Sequence, residues 1–456
     1  MRQWLAAVLL LPFASLYALV GKCRRIQCRV NTMTTPNSAL HPLHRAWQML
    51  PPSTRRLWLA RATAWVAPKP DAVPPPACDG VVVGGEIGRA SGLGEGARIM
   101  SQALERLGVA NAAIEAGPRL PGAERAVEAG HSAAGWPDRA ALILHVNAPQ
   151  FPAALAGLGR RRVRGRRIVG NWSWELPVVP VSWHPALAYV HELWVPSRFT
   201  AAAFEKLLPG RIRVVPHAVA LVPPVASRLD RQAFGLADDV VVVLTSFSLA
   251  SSFARKNPLA AIAAFKQAFG DRSDRLLLLK VGNSEHHPGD LALLQQAIAG
   301  APNIRLETRM FPEADMHALT QACDIVLSLH RSEGFGLVPA QAMLLRRPVI
   351  ATDWSATSEF LDAGCGVPIG YRLVPAQDPR RVFEAPGAVW AEADVGQAAM
   401  NLRELADSPA RRGALGGAAW EAAQARLGGD GLLAALAAIG VRDRNGDARQ
   451  DRDRAA

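Results

Sequence analysis

Residues Ile325 to Leu345 read IVLSLHRSEGFGLVPAQAMLL. The first four form a short apolar strand, and the loop after it carries Glu333 beside Gly334 and Gly336, which let a ligand approach the backbone closely. Pro339 suits the first turn of the next helix, whose free amides attract phosphate. A carboxylate next to an anion site repels bare phosphate, so Glu333 suits sugar hydroxyls instead. Strand, acidic loop and helix start together fit a sugar diphosphate.

Outward from this stretch, apolar runs alternate with helical segments. Strands are expected at 80–84, 112–115, 141–146, 167–170, 192–195 and 212–215, and again at 240–245, 275–281, 304–307, 325–328, 348–351 and 366–369. Short apolar strands separated by helices predict parallel sheets covered on both faces. At 456 residues, half of them apolar and a fifth charged, the chain accommodates two such domains. The boundaries read as an apolar and basic segment over 1–32, amphipathic helices and a Pro-rich linker over 33–76, a first Rossmann-like domain over 77–225, a second over 226–425, and a C-terminal helix with a disordered tail over 426–456. The two α/β domains face each other across a cleft, and ligands of such sheets bind beyond the strands' carboxyl ends.

The stretch LHRSEGFGL with the following PVIAT strand resembles family-four retaining glycosyltransferases of GT-B fold. The resemblance extends over roughly residues 80–425. It implies a hexosyltransferase-type enzyme of polysaccharide biosynthesis that uses a nucleotide-diphosphate sugar as donor, with no separate cofactor and no metal. The family signature has two Glu residues separated by seven others, the first on the sugar and the second on the ribose. Glu333 matches the first position. Gln341 stands at the second and departs from the pattern, since an amide lacks the paired charged acceptors of a carboxylate.

Further site residues follow from the same resemblance. Arg255 and Lys256, in SFSLASSFARKNP, occupy the place of the basic diphosphate pair, where two cations and a helix start neutralise the leaving group. Gly334, Phe335, Gly336 and Leu337 complete the donor loop. Ser355 and Thr357, in ATDWSATSEFL, are expected on the diphosphate, and GYRLVP (370–375) and VWAEAD (389–394) resemble other donor-site segments. In GGEIGRASGLGEGARI (84–99), Gly92 and Gly94 are either points of close ligand approach or only a strand-to-helix turn. His145 closes the strand ALILHV and is either structural or, as the resemblance implies, a catalytic group reaching the donor sugar. Trp172, Trp174 and Trp183 either line the acceptor or pack the core, and Glu175 is an acceptor-orienting candidate.

Charge placement suggests a partner. The net charge is +12, yet residues 1–70 hold ten Lys or Arg and no acid, leaving only +2 on the rest. A second block comprises Arg160, Arg161, Arg162, Arg164, Arg166 and Arg167. Such polarity suits an anionic surface, and the neighbouring tryptophans favour lipid over nucleic acid. The expected acceptor is a glycan or lipid-linked glycan, met in the cytoplasm or at the cytoplasmic face of the inner membrane. The apolar run Trp4 to Gly21 reads either as an anchor or, if translation starts at Met33, as an artefact of start-site choice. Two short amphipathic helices are expected between Leu43 and Val66, on a membrane interface or on the protein body. Five cysteines without metal-ligand spacing fit a reducing compartment. The rival readings are another GT-B enzyme such as an epimerase or phosphorylase, a nucleotide-sugar-binding protein without transfer, and an anionic-polymer binder.

Overall fold

The computed structural model describes residues 49–77, 79–117, 135–137, 139–383 and 385–441. The apolar run at 4–21, the alternative start at Met33, the first of the two amphipathic helices, the tail from Asp443, and Cys23, Cys28 and Cys78 lie outside them.

Helix α1 (Pro52–Val66) precedes the first domain, which comprises β1 (Val81–Gly85), α2 (Gly92–Arg106), β2 (Asn111–Glu115), β3 (Ala141–His145), α3 (Phe151–Leu158), α4 (Arg160–Val163), β4 (Ile168–Asn171), β5 (Glu192–Val195), α5 (Arg198–Phe204) and β6 (Ile212–Val214). Its six strands are parallel in the order β2-β1-β3-β4-β5-β6. Val81, Val82 and Val83 are wholly buried because helices cover both faces of the sheet.

The second domain comprises β7 (Val241–Ser248), α6 (Phe253–Lys256), α7 (Pro258–Phe269), β8 (Arg275–Gly282), α8 (Pro288–Ile298), β9 (Ile304–Glu307), α9 (Glu313–Ala322), β10 (Ile325–Ser328), α10 (Leu337–Leu344), β11 (Val349–Thr352) and β12 (Val367–Ile369). Its parallel order is β12-β11-β10-β7-β8-β9. A hairpin of β13 (Tyr371–Pro375) and β14 (Val389–Ala393) follows, then α11 (Val395–Asp407), α12 (Pro409–Arg426) and α13 (Asp430–Ala438). Two facing parallel α/β sheets make this the GT-B fold.

Each sheet has one point where the order of connection reverses, and crevices open there. In the second sheet it lies between β7 and β10, so the segments after these strands, carrying Arg255–Lys256 and Glu333, meet. In the first sheet it lies between β1 and β3, which pairs the Gly-rich loop with His145.

Two terminal elements differ from the expected partition. Helix α13 returns to the first domain, where Leu432, Leu436 and Ile439 join the cluster of Val81, Val83 and Leu104. The carbonyl of Ile439 also accepts from the Ala77 amide at 3.1 Å, so this helix belongs to the first domain's core. Helix α1 packs on α3 and on the 3-10 helix Val181–Tyr189, with Ala60 buried and the Ala64 carbonyl accepting from the Tyr189 hydroxyl. Among the described residues no helix is long and apolar enough to cross a membrane.

Candidate active site

The sequence after β7 turns sharply. Ser252 adopts φ 83°, its hydroxyl accepts from the Arg255 amide at 3.3 Å, and Asn257 at φ 52° ends the single turn of α6 before Pro258 starts α7. That turn aims Arg255 and Lys256 at the loop after β10. The Arg255 guanidinium donates to the Ser332 carbonyl at 2.8 Å, to Glu333 Oε2 at 3.1 Å and to the Ser251 carbonyl at 3.1 Å. Lys256 Nζ donates to Glu333 Oε1 at 2.5 Å. From the opposite domain Glu175 brings a carboxylate oxygen to 3.7 Å from Arg255, whose guanidinium also lies 5.1 Å from the Phe383 ring centroid. Two cations and two carboxylates thus share one buried centre spanning both domains.

Burial and pairing oppose each other here. Burial raises the Glu333 carboxyl, but Lys256 and Arg255 outweigh it and hold the group down at about 2. Glu175 is raised, because burial exceeds the pull of Arg255. Burial lowers the Lys256 ammonium against the attraction of Glu333. It also opposes the Arg255 charge, yet Glu175 and Glu333 overcome it and raise that group.

The donor loop is fastened from both sides. Ser355, at φ 66°, accepts from the Glu333 amide at 2.9 Å, and Thr357 bonds His330 Nε2 at 2.9 Å, while Ser328 bonds the other ring nitrogen at 3.0 Å. Ser355 and Thr357, expected on the diphosphate, use their hydroxyls to hold the loop. From the first domain Ser197 donates to the Gly334 carbonyl at 2.8 Å, and the missing side chain of Gly334 leaves room for the Trp174 carbonyl, 3.3 Å from where a Cβ would be. Gly336 adopts φ 100° just before Leu337 starts α10. Phe335 is buried between Phe360 and the edge of His217, 4.8 Å between ring centroids.

Gln341 lies further along α10 and donates to Glu95 Oε1 of α2 at 3.2 Å. The two residues line a cavity of about 280 Å³ between the domains, with Arg98, Glu313 and His317 among its other walls.

Other expected residues sit elsewhere. His145 is wholly buried, with Met100 Sδ 3.3 Å from Nε2 and no partner on Nδ1. Burial, with a smaller contribution from His217, lowers it to about 3, so it is a neutral ring under α2 and does not touch the charged centre. Trp172, Trp174 and Trp183 form edge-on and tilted contacts with Phe151, Phe204 and one another, and all three are core. They are not an acceptor wall, because the loop after β4, which carries Trp172 and Trp174, and the 3-10 helix Val181–Tyr189, which carries Trp183, place them in the first domain's core. A side chain on Gly94 would collide with the carbonyls of Glu86 and Arg89, so that glycine serves the turn; in front of Gly92 there is open space.

Other residues complete the site. His330 lies within residues 325–345, and its place just after β10 brings its ring between Ser328 and Thr357. Glu359 caps α5 of the opposite domain by accepting from the Arg198 and Phe199 amides at 2.9 and 2.8 Å. Ser197 at a helix start was a legible cap, but its bond to Gly334 was not. Glu95 lies inside the Gly-rich stretch at 84–99, and His217 carried no local signal.

Such a cleft, with a charged centre at the reversal of the second sheet, defines a GT-B fold with a candidate site between its two domains. Residues 241–391 match the family model described as glycosyl transferases group 1. That likeness to the family lies in the second domain and the hairpin that follows it. A curated relative, D-inositol 3-phosphate glycosyltransferase of Kineococcus radiotolerans, is 29% identical over 230 residues, covering 47% of this chain and 48% of the relative. The chain therefore matches about half the length of that relative. Among solved structures, Anabaena Alr3699/HepE in complex with UDP and glucose superposes with a TM-score of 0.52 at 15% identity, over 79% of this chain and 97% of that one. A glycosyltransferase from Rickettsia africae gives 0.54 at 12% identity, over 79% and 98%. At these identities the likeness concerns the fold.

Proposed function

We propose that this chain is a retaining glycosyltransferase that moves a hexosyl group from a nucleotide-diphosphate sugar to a glycan or lipid-linked glycan without a metal, at the cytoplasmic face of a membrane. The observation that carries the reading is Glu333 gripped by Arg255 and Lys256 at the reversal point of the second sheet. A diphosphate bears more negative charge than one carboxylate, so its arrival draws the cations away from Glu333 and frees that carboxylate for the sugar hydroxyls. As the bond between anomeric carbon and diphosphate breaks, the two cations neutralise the departing oxygens, and preorganised charge in a buried site is an effective catalyst. Glu175, on the facing wall, orients the acceptor, and Gln341 with Glu95 holds the nucleoside end of the donor.

The complex of the Anabaena protein makes UDP-sugars the first donors to try, and the curated relative makes an inositol phosphate one of the first acceptors. A thermal-shift screen of nucleotide sugars identifies the donor, since a ligand that binds only the folded state raises its melting temperature. With that donor, nucleoside diphosphate is released only when acceptor is present, and excess chelator leaves the rate unchanged. Release without acceptor points to hydrolysis, conversion of the nucleotide sugar into an isomer without release points to an epimerase, and specific loss of turnover with chelator contradicts metal independence.

A further inference from the structure

Helix α1 is inside out by the usual rule. Its small residues Ala60 and Ala64 face the body of the first domain, while Trp58 and Trp65 are 53% and 64% exposed, and Leu59 and Val66 are exposed beside them. Trp58, Arg61 and Trp65 fall at i, i+3 and i+7, so they form one outward stripe. Folding alone places large apolar side chains inward, and an exposed aromatic stripe marks a surface that is covered by something else.

Charge narrows what covers it. The chain after α1 is tied to the arginine block: Asp71 accepts from the Gly165 amide at 2.7 Å, and Arg167 donates to the Pro75 carbonyl at 3.1 Å. Helix α1 also packs on α3, which leads directly into α4. Arg160, Arg161, Arg162 and Arg164 are exposed there, and the guanidinium groups of Arg162 and Arg166 lie 5.2 and 5.3 Å from the ring centroid of half-buried Trp136. No Asp or Glu occurs between Asp138 and Glu175, nor anywhere in residues 1–70. The N-terminal segment is thus itself acid-free and cannot neutralise this surface. Tryptophan with arginine is the pairing that seats at the boundary of lipid headgroups and acyl chains, and arginine adds attraction to anionic headgroups.

We propose that the outer face of α1, with Arg160 to Arg164, is a docking surface for an anionic lipid bilayer: Trp58 and Trp65 insert at the headgroup level and the arginines hold the phosphates. The surface belongs to the first domain and is distinct from the charged centre, so the proposal stands whether or not the transferase reading does.

The test is co-sedimentation of the full chain with phosphatidylcholine vesicles, with or without about one third phosphatidylglycerol, in the absence of donor and acceptor. Binding is expected only with phosphatidylglycerol and is expected to weaken as salt is added. Trp58→Ala with Trp65→Ala is expected to lower the partition coefficient at least tenfold, as is the set Arg160→Ser, Arg161→Ser, Arg162→Ser and Arg164→Ser. Both variants change exposed side chains, and unchanged melting temperatures establish that they fold. Quenching of tryptophan fluorescence by brominated lipid gives a second readout, expected in the parent and diminished in the tryptophan variant. Wild-type binding by both variants overturns the proposal, because lipid contact then lies elsewhere. So does a parent dimer that the tryptophan variant turns into monomer, which makes the face a contact between copies. Binding to a nucleic-acid duplex that exceeds binding to phosphatidylglycerol vesicles also overturns it.

Discussion

The two walls of the cleft handle their chemistry in opposite ways. On the second domain, Arg255 and Glu333 are buried and Lys256 is half-buried, and both cations hold the Glu333 carboxylate. On the first, His145 and the tryptophans at 172, 174 and 183 are buried and uncharged, and they pack as core. A buried charge needs a partner and a reason, whereas a buried aromatic ring or neutral imidazole needs neither. The buried charges therefore mark a candidate site, whereas the aromatic residues, offered by the sequence as an acceptor wall or as core, are core.

That contrast can be tested from the strong side first. Arg255→Ala strands Glu175 and Glu333 without their shared cation, and turnover is expected to fall about 10³-fold, with a stability loss of about 3 kcal/mol. Steady-state kinetics and urea unfolding check the two effects.

Acid should bear on both walls. Burial lowers His145 to about 3 and His217 and His330 to about 4, from the ordinary 6.5. Between pH 6.5 and 4 the unfolded chain binds protons that these folded rings refuse, so stability falls as pH drops through that range. Glu333, at about 2 against an ordinary 4.5, extends the loss below pH 4.5. Melting temperature recorded against pH is expected to decline from 6.5 downward, and a flat profile to pH 4 contradicts the buried neutral rings.

Gln341 joins the walls and should show an intermediate effect. Replacing it by Glu, the residue usual in the family, sets a second carboxylate about where the amide now lies 3.2 Å from Glu95. Donor affinity is expected to fall about tenfold from like-charge repulsion, and Glu95→Gln in the same chain to recover most of it. Equal affinity in the single variant removes Glu95 from the donor site. The smallest effect on catalysis is expected for Trp172→Phe, which costs about 2 kcal/mol of packing and leaves turnover within about twofold. A large loss of turnover at unchanged stability returns that residue to the acceptor site.

Much of the fold was legible because buried parallel strands are short unbroken apolar runs. Val81 to Val83 and Leu276 to Leu279 read as strands without context, and the segments after β7 and β10 then marked the crevice. The β13–β14 hairpin was not legible as strands, since Tyr371, Arg372 and Leu373 are exposed and lack such a run. Within the site, Glu333 and its cations were visible through the motifs around them. The contacts that close the cleft were not: Ser197 with Gly334, Glu359 with α5, and Glu95 with Gln341 join residues more than 130 positions apart. Residue type alone gives no sign of such pairs. Helix α1 is the converse case, in which the apolar residues were legible and only the structure showed that they point outward.

In the proposed reaction Arg255 and Lys256 hold the diphosphate while Glu333 holds the sugar. Isothermal titration of a nucleoside diphosphate and its matching nucleotide sugar into the wild type, Arg255→Ala and Glu333→Ala tests it most directly. Arg255→Ala is expected to lose both ligands, while Glu333→Ala is expected to keep the nucleoside diphosphate and lose the extra affinity for the nucleotide sugar. Wild-type affinity for both ligands in both variants would contradict it.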